Sequence, residues 1–362
     1  MDGFAFEFDS KSLTFARRNF TLPRQLNPGE VLVRVTCCTI CGSDLHTFCG
    51  RRSAPANCVL GHEIIGTIEA WGGRVTPVDV RGESLSVGDR VTWAMAVGCG
   101  DCFFCNSGLS QKCDHLFKYG HQSAGTIPTG GLSQYCLLVP GTPVFRIPES
   151  LSDQVACPAN CATATVAAAI RLISETHRIE SRSVLIVGAG LLGLTASAML
   201  CDAGASQILV ADLDSKRTAL AASFGATHAV APDDPQSLFQ QIDSATEGRG
   251  VDIALDFAGA LGAVTTAIES VRTGGCILLA GSVFPMEELG ISPESIVRRM
   301  LTIRGLHNYG VPDLDRALRF LERTHARFPF HDLVSSTFEL AQAPLAFEQA
   351  QQGHIRVAVS DG

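Results

Sequence analysis

A chain of 362 residues is too long for one ordinary hydrophobic core, so two domains are expected. Hydrophobic residues at 46% and charged residues at 18% exclude extended disorder. The net charge of -8 argues against nucleic acid or an anionic membrane as main partner. With no basic leader and no apolar run of membrane-spanning length, a cytoplasmic location is expected.

In chain order, Asn27-Pro28-Gly29-Glu30 predicts a turn before the strand Val31-Leu32-Val33-Arg34-Val35. Cys41-Gly42-Ser43-Asp44-Leu45-His46 follows, gathering a thiol, a hydroxyl, a carboxylate and an imidazole within what reads as one short turn. Next come Gly61-His62-Glu63, a strand over Ile64-Ile65-Gly66-Thr67-Ile68, and a turn at Val87-Gly88-Asp89 into a third strand. Short β segments broken by glycine and proline predict a β-rich domain over residues 1–152, with a cysteine-rich lobe at 98–114.

The texture then changes. Ala162 to Ile170 is a run of small residues that predicts a helix. Strands at 183–187, 207–211, 227–230, 251–257, 275–280 and 300–304 alternate with helices near 191–203, 215–224, 235–245, 261–271 and 293–299. That alternation over 153–303 predicts an α/β, doubly wound parallel sheet. The tail, 304–362, holds one helix at 313–323 and a strand at Ile355-Arg356-Val357-Ala358-Val359, and is expected to return to the first domain.

Four constellations carry chemistry. The strand Val184-Leu185-Ile186-Val187 runs into Gly188-Ala189-Gly190-Leu191-Leu192-Gly193, and Asp212 ends the next strand. In this context the glycines admit a pyrophosphate to a helix N-terminus and the carboxylate holds the adenosine ribose diol. Asp212 repels a 2′-phosphate and favours NAD over NADP, although Arg217 nearby is of the kind that accommodates one. Second, Cys99, Cys102, Cys105 and Cys113 have the spacing of an all-cysteine structural zinc site. A redox pair or four buried thiols fit that polar, glycine-rich loop poorly. Third, Cys41 and His62 suit a catalytic metal, which takes about three protein ligands and keeps one position open. Fourth, Cys157 and Cys161 at the domain junction both offer a third ligand. Thr163 close by suits a helix-start cap equally well.

Taken together and in order, these motifs resemble the zinc-dependent alcohol dehydrogenases of the medium-chain dehydrogenase/reductase family, over essentially the whole chain. The resemblance implies a GroES-like catalytic domain plus a Rossmann domain, and an enzyme of the EC 1.1.1 class. It implies Zn2+ at two sites per chain, one catalytic and one structural, with NAD as cofactor. The catalytic zinc would be held by Cys41, His62 and Cys161, with Cys157 the weaker alternative. Asp44 would hold the imidazole of His62, Glu63 would sit beside the metal, and Thr165 would pack near the nicotinamide. Ser43 would take the substrate's hydroxyl proton and pass it through the nicotinamide ribose to His46.

The run from Pro158 to Ala169 is unusual for the family and resembles a subgroup described as phosphonate-catabolism-associated alcohol dehydrogenases. A phosphonate-bearing alcohol is therefore one expected substrate, with Arg51, Arg52, Lys118 and His121 as anion-binding positions. A bulky cyclic secondary alcohol or a polyol is the alternative, lined by Trp93 and Met95. The resemblance further implies a homodimer or homotetramer. A non-catalytic nucleotide-binding relative is opposed by the intact Cys41, Ser43, His46 and His62.

Overall fold

The computed structural model describes residues 2–123, 125–231 and 235–361. Contacts divide the chain into two units. The first runs to Ala164 and takes back Gly310–His325 and Phe330 onward, whereas the second holds Thr165–Tyr309 and Ala326–Pro329. The expected boundary at residue 152 therefore falls early. Asp153–Ala156 and the 3-10 turn Cys157–Asn160 pack with the first unit, because Val155 to Asn160 form a continuous buried stretch.

The first unit is built on a seven-stranded sheet in the order Val144–Arg146, Arg90–Trp93, Glu63–Trp71, Val31–Thr39, Arg356–Ser360 and Val334–Glu339, with Tyr135–Leu138 also paired to Val31–Thr39. Its strands carry Val, Ile, Leu and aromatic side chains into one core that includes Val33, Ile64, Val91, Trp93 and Phe347. The tail does return. Arg356–Ser360 runs antiparallel to Val31–Thr39, with Ala358 opposite Thr39. That register brings Arg356 level with Cys41.

Two local differences from expectation bear on function. Cys41 to His46 is the start of a helix, α1 (Gly42–Phe48), rather than a single turn. Cys41 sits at its N-cap and the Asp44 carboxylate turns back to accept the Cys41 N–H at 3.0 Å, satisfying one of the end amides. The cysteine-rich lobe leaves and re-enters through two paired strands, Ala96–Val97 and Phe117–Lys118. Pairing the two ends of the excursion fixes the lobe's base.

In the second unit the strands are β1 (Ser183–Val187), β2 (Gln207–Ala211), β3 (His228–Val230), β4 (Val251–Asp256), β5 (Val271–Leu279) and β6 (Thr302–Gly305). They pair in parallel in the spatial order 3-2-1-4-5-6. This is the order of dinucleotide-binding sheets, whose ligand lies beyond the carboxyl ends of the strands where the order reverses. Near-continuous apolar runs such as Val184-Leu185-Ile186 suit strands covered on both faces. Among the described residues no single helix is long and apolar enough to cross a membrane.

Candidate active site and metal centres

Three segments of the first unit converge. Cys41 caps α1, His62 precedes the strand Glu63–Trp71, and Cys161 follows the 3-10 turn Cys157–Asn160. Their ligand atoms all lie within 4.8 Å of one another, and the Cys41 and Cys161 sulfurs are 4.0 Å apart. His62 is completely buried, and its Nδ1 is 3.0 Å from Asp44 Oδ1. A carboxylate can only accept, so Nδ1 carries the proton and the Nε2 lone pair is left for a ligand. Cys157 is not part of the cluster. Its thiol donates to the carbonyls of Cys37 and Glu63 at 3.4 and 3.2 Å, and burial pushes it far above the usual thiol range.

The donors shift one another's protonation, and Cys161 is raised well above the usual thiol range, first by its hydrogen bond to Cys41 and then by burial. The Cys41 thiol is drawn well below its usual range, first by the Cys161 hydrogen bond against the cost of burial, then by Arg356 and His62. Burial disfavours a charged His62, yet the Asp44 carboxylate and the Cys41 sulfur outweigh it and hold the imidazole at about 10. Two thiols and an imidazole brought this close form a donor set suited to zinc.

A charged layer surrounds the donors. Glu63 is fully buried, and its two oxygens accept from Arg356 at 2.9 and 3.0 Å, with Thr39 Oγ1 adding a third bond at 2.6 Å. Arg356 Nη2 also lies 3.6 Å from the Cys41 sulfur. Burial raises Glu63 and Arg356 opposes it. Asn160 donates to the His62 and Trp93 carbonyls at 3.0 and 3.2 Å, tying two segments of the cluster together. Arg356, Thr39 and Asn160 were not singled out in the sequence. An arginine inside the apolar strand Ile355 to Val359 was the one available signal.

Ser43 Oγ is 3.3 Å from His62 Nε2. His46 lies three residues further along α1, on the same helix face as Ser43. Burial and the Arg51 charge lower His46 below the ordinary histidine value, favouring its neutral form. The Arg51 and Arg52 amides both donate to the His46 carbonyl, at 2.9 and 3.1 Å. Trp93 and Met95 are buried at 0% and 4% exposure, with Trp93 edge-on to Tyr119.

Cys99, Cys102, Cys105 and Cys113 form a second group with sulfurs within 4.8 Å of one another. The amides of Cys99 and His115 donate to the Cys113 sulfur at 3.1 and 3.3 Å. The Asp114 and Cys105 amides hold Cys102 down to about 6. The loop is closely packed at Gly98, where a Cβ would lie 3.0 Å from the Cys105 sulfur and 3.2 Å from the Ser110 oxygen.

In the second unit, β1 ends at Val187, just before Gly188, and the helix Leu191–Asp202 starts after Gly190. A Cβ on Gly193 would lie 1.8 Å from the Gly188 oxygen, so only glycine lets helix and strand approach. A Cβ on Gly190 would meet nothing within 4 Å, and Leu191 and Leu192 form the first turn of the helix, whose amides have no partner within the helix. Asp212 is oriented by the amides of Ala189 (2.7 Å) and Asp214 (2.9 Å). Arg217 faces Asp214 at 3.6 Å, so a carboxylate already attends a cation of the kind that favours a 2′-phosphate. These residues fit a dinucleotide with a free ribose diol. Thr165 is half-buried in the helix Ala162–Ser174, and Thr163 lies inside that helix rather than at its cap.

The chain resembles known proteins over nearly its whole length. Residues 27–149 match the alcohol dehydrogenase GroES-like domain, and residues 192–323 match the zinc-binding dehydrogenase family. A sorbitol dehydrogenase from Bacillus subtilis is 31% identical over 338 residues, covering 92% of this chain and 90% of its own. A 5-exo-hydroxycamphor dehydrogenase from Pseudomonas putida is 27% identical and covers 92% of each chain. The crystal structure of an alcohol dehydrogenase from Thermotoga maritima superposes with a TM-score of 0.92 at 25% identity, over 99% of both chains.

Proposed function

The chain belongs to the zinc-type medium-chain alcohol dehydrogenases, oxidoreductases of the EC 1.1.1 class, and on that premise we propose that Cys41, His62 and Cys161 hold the metal at which it interconverts an alcohol with an aldehyde or ketone. The convergence of those three donors, with His62 turned by Asp44, is the observation that carries the reading. When bound, zinc supplies the Lewis acidity that polarises the substrate oxygen, and NAD supplies the hydride acceptor.

The chain's own groups do the rest. Asp44 fixes the tautomer and direction of His62. Arg356 and Glu63 balance charge behind Cys41, with Glu63 held by its two partners. Ser43 takes the hydroxyl proton and His46, kept neutral by burial, receives it further along α1. Gly188, Gly190 and Gly193 shape the pyrophosphate cradle, Leu191 and Leu192 offer amides, and Asp212 binds the ribose diol. Arg217 stays with Asp214, Thr165 packs towards the nicotinamide, and the lobe cysteines hold a structural zinc.

Two substrate classes follow. A phosphonate-bearing alcohol is supported by Arg51 and Arg52 after the catalytic helix. A bulky cyclic secondary alcohol or a polyol, enclosed by Trp93 and Met95, is supported by similarity to dehydrogenases named for sorbitol and hydroxycamphor. The working assembly is a homodimer or homotetramer, tested by light scattering. The deciding experiment combines metal analysis with an NAD-coupled alcohol screen. The wild type should hold about two zincs per chain, and Cys161→Ala should lose one of them together with activity. Unchanged metal content in that variant would remove Cys161 from the site.

A further inference from the structure

We propose that Arg52 and Lys118 form an oxyanion-binding subsite beside the Cys41, His62 and Cys161 cluster, so that the preferred substrate is an alcohol carrying a phosphonate or carboxylate close to its hydroxyl. The proposal rests on the dehydrogenase reading and narrows its substrate.

The two cations reach the cluster from different segments. Arg52 follows α1, where its own amide and that of Arg51 close onto the His46 carbonyl. Lys118 ends the strand Phe117–Lys118, paired with Ala96 across the base of the zinc lobe. The chain then turns at Gly120, with φ of +72°, and runs against the ligand backbone. A Cβ on Gly120 would lie 2.6 Å from the Gly61 oxygen and 3.2 Å from His62 Cβ. One residue later the His121 ring sits 5.4 Å from the His62 ring.

Charge in this corner is uncompensated. Elsewhere several shielded arginines face carboxylates: half-buried Arg18 has Glu7, half-buried Arg272 has Asp252, and buried Arg356 has Glu63, whereas Arg299 donates to backbone carbonyls. Among the described residues no side-chain hydrogen bond or ion pair is formed by Arg52 or Lys118, although both are half-buried. Burial first and the Arg52 charge second push Lys118 down to about 8, opposed by the Cys161, Asp44 and Cys41 charges. Lys118 therefore stands within electrostatic reach of both Arg52 and the metal donors. A guanidinium fork and an ammonium point charge together match a tetrahedral or planar oxyanion. Binding one would relieve their mutual repulsion.

His121 belongs to a different part of this recognition. Burial and the charges of His62, Lys118 and Arg52 keep it neutral, and its Nδ1 lies 3.0 Å from the Tyr119 carbonyl. A carbonyl only accepts, so Nδ1 carries the proton and Nε2 is an acceptor. It suits a hydroxyl of the substrate and repels an oxyanion, which leaves the anion to Arg52 and Lys118.

The test measures NAD-linked oxidation of 2-hydroxyethylphosphonate and 3-hydroxypropanoate against neutral propan-1-ol and sorbitol, using zinc-loaded full-length protein. The wild type should prefer an anionic alcohol in kcat/KM. That preference should fall about 10- to 100-fold in Lys118→Met and Arg52→Gln, as for one lost charge-assisted hydrogen bond, and Lys118→Arg should restore much of it. The phosphonate and carboxylate arms separate the two headgroups. A wild type with no anionic preference, or a preference indifferent to both substitutions, overturns the subsite. If no alcohol of either kind is oxidised, the dehydrogenase reading has failed instead. The subsite is then judged by calorimetric titration with methylphosphonate and acetate. Binding by the wild type that weakens about tenfold in Lys118→Met supports it, and no binding by the wild type overturns it.

Discussion

The two metal-ligand clusters use similar donors and are assembled in opposite ways. The lobe takes four sulfurs from Cys99 to Cys113, steadies them with backbone amides, and leaves Cys99 exposed. The other cluster draws Cys41 and Cys161 from positions 120 residues apart and surrounds them with the buried polar side chains of Asp44, Glu63 and Arg356. A closed structural site needs only a flexible local loop with correct spacing. A site that keeps a position for substrate lacks one protein donor. Its remaining donors must be aimed, and their charge balanced, by side chains that bind no metal themselves.

This contrast can be broken or sharpened by experiment. The largest effect is expected for Ser43→Ala, which should lose about 10²- to 10⁴-fold in turnover while keeping zinc content and NAD binding. Full turnover in that variant would take Ser43 out of proton transfer and reduce the chemistry of the first cluster to metal holding. Asp44→Asn should weaken metal affinity at the Cys41 cluster about 10- to 100-fold and leave the lobe's zinc in place. Chelator competition reads both sites, and equal losses would erase the distinction between aimed and unaimed donors.

Metal removal gives the subtlest effect. Cys102 is held at about 6, so in the chelated protein it is a thiolate at neutral pH, whereas Cys99 and Cys105 are raised. Iodoacetamide at pH near 7 should modify Cys102 first, because the thiolate is the nucleophile. The rate should fall as pH drops through about 6, where the depressed group finally takes its proton. Mass mapping that finds Cys105 modified first would show that the amides of Asp114 and Cys105 do not organise the lobe.

Legibility in the sequence followed the same division. The lobe was readable because its ligands fall within one short stretch. The dinucleotide sheet was readable because apolar strands and glycine punctuation are local signals, and strands 183–187 and 207–211 lie where the pattern put them. The third ligand stayed open between Cys157 and Cys161 because both thiols lie at the same junction. Only the fold turns one towards backbone carbonyls and the other towards Cys41. Arg356 was illegible as a site residue, since nothing near it in sequence announces a carboxylate 293 positions away. The start of α1 was read as a turn because Gly42 and Ser43 are poor helix formers. Asp44, by satisfying the Cys41 amide, supplies what local propensity lacks.

The placement of Arg356–Ser360 in the sheet, between Val31–Thr39 and Val334–Glu339, carries a consequence for biosynthesis. As the chain leaves the ribosome, the lobe's cysteines emerge together and need nothing further to capture an ion. Glu63 emerges early and must wait for a further 293 residues before its arginine arrives. Until then it lacks its buried cation, and the donors beside it lack their charge balance. Synthesis order thus lets the lobe's four cysteines assemble long before the Cys41 cluster can acquire Arg356.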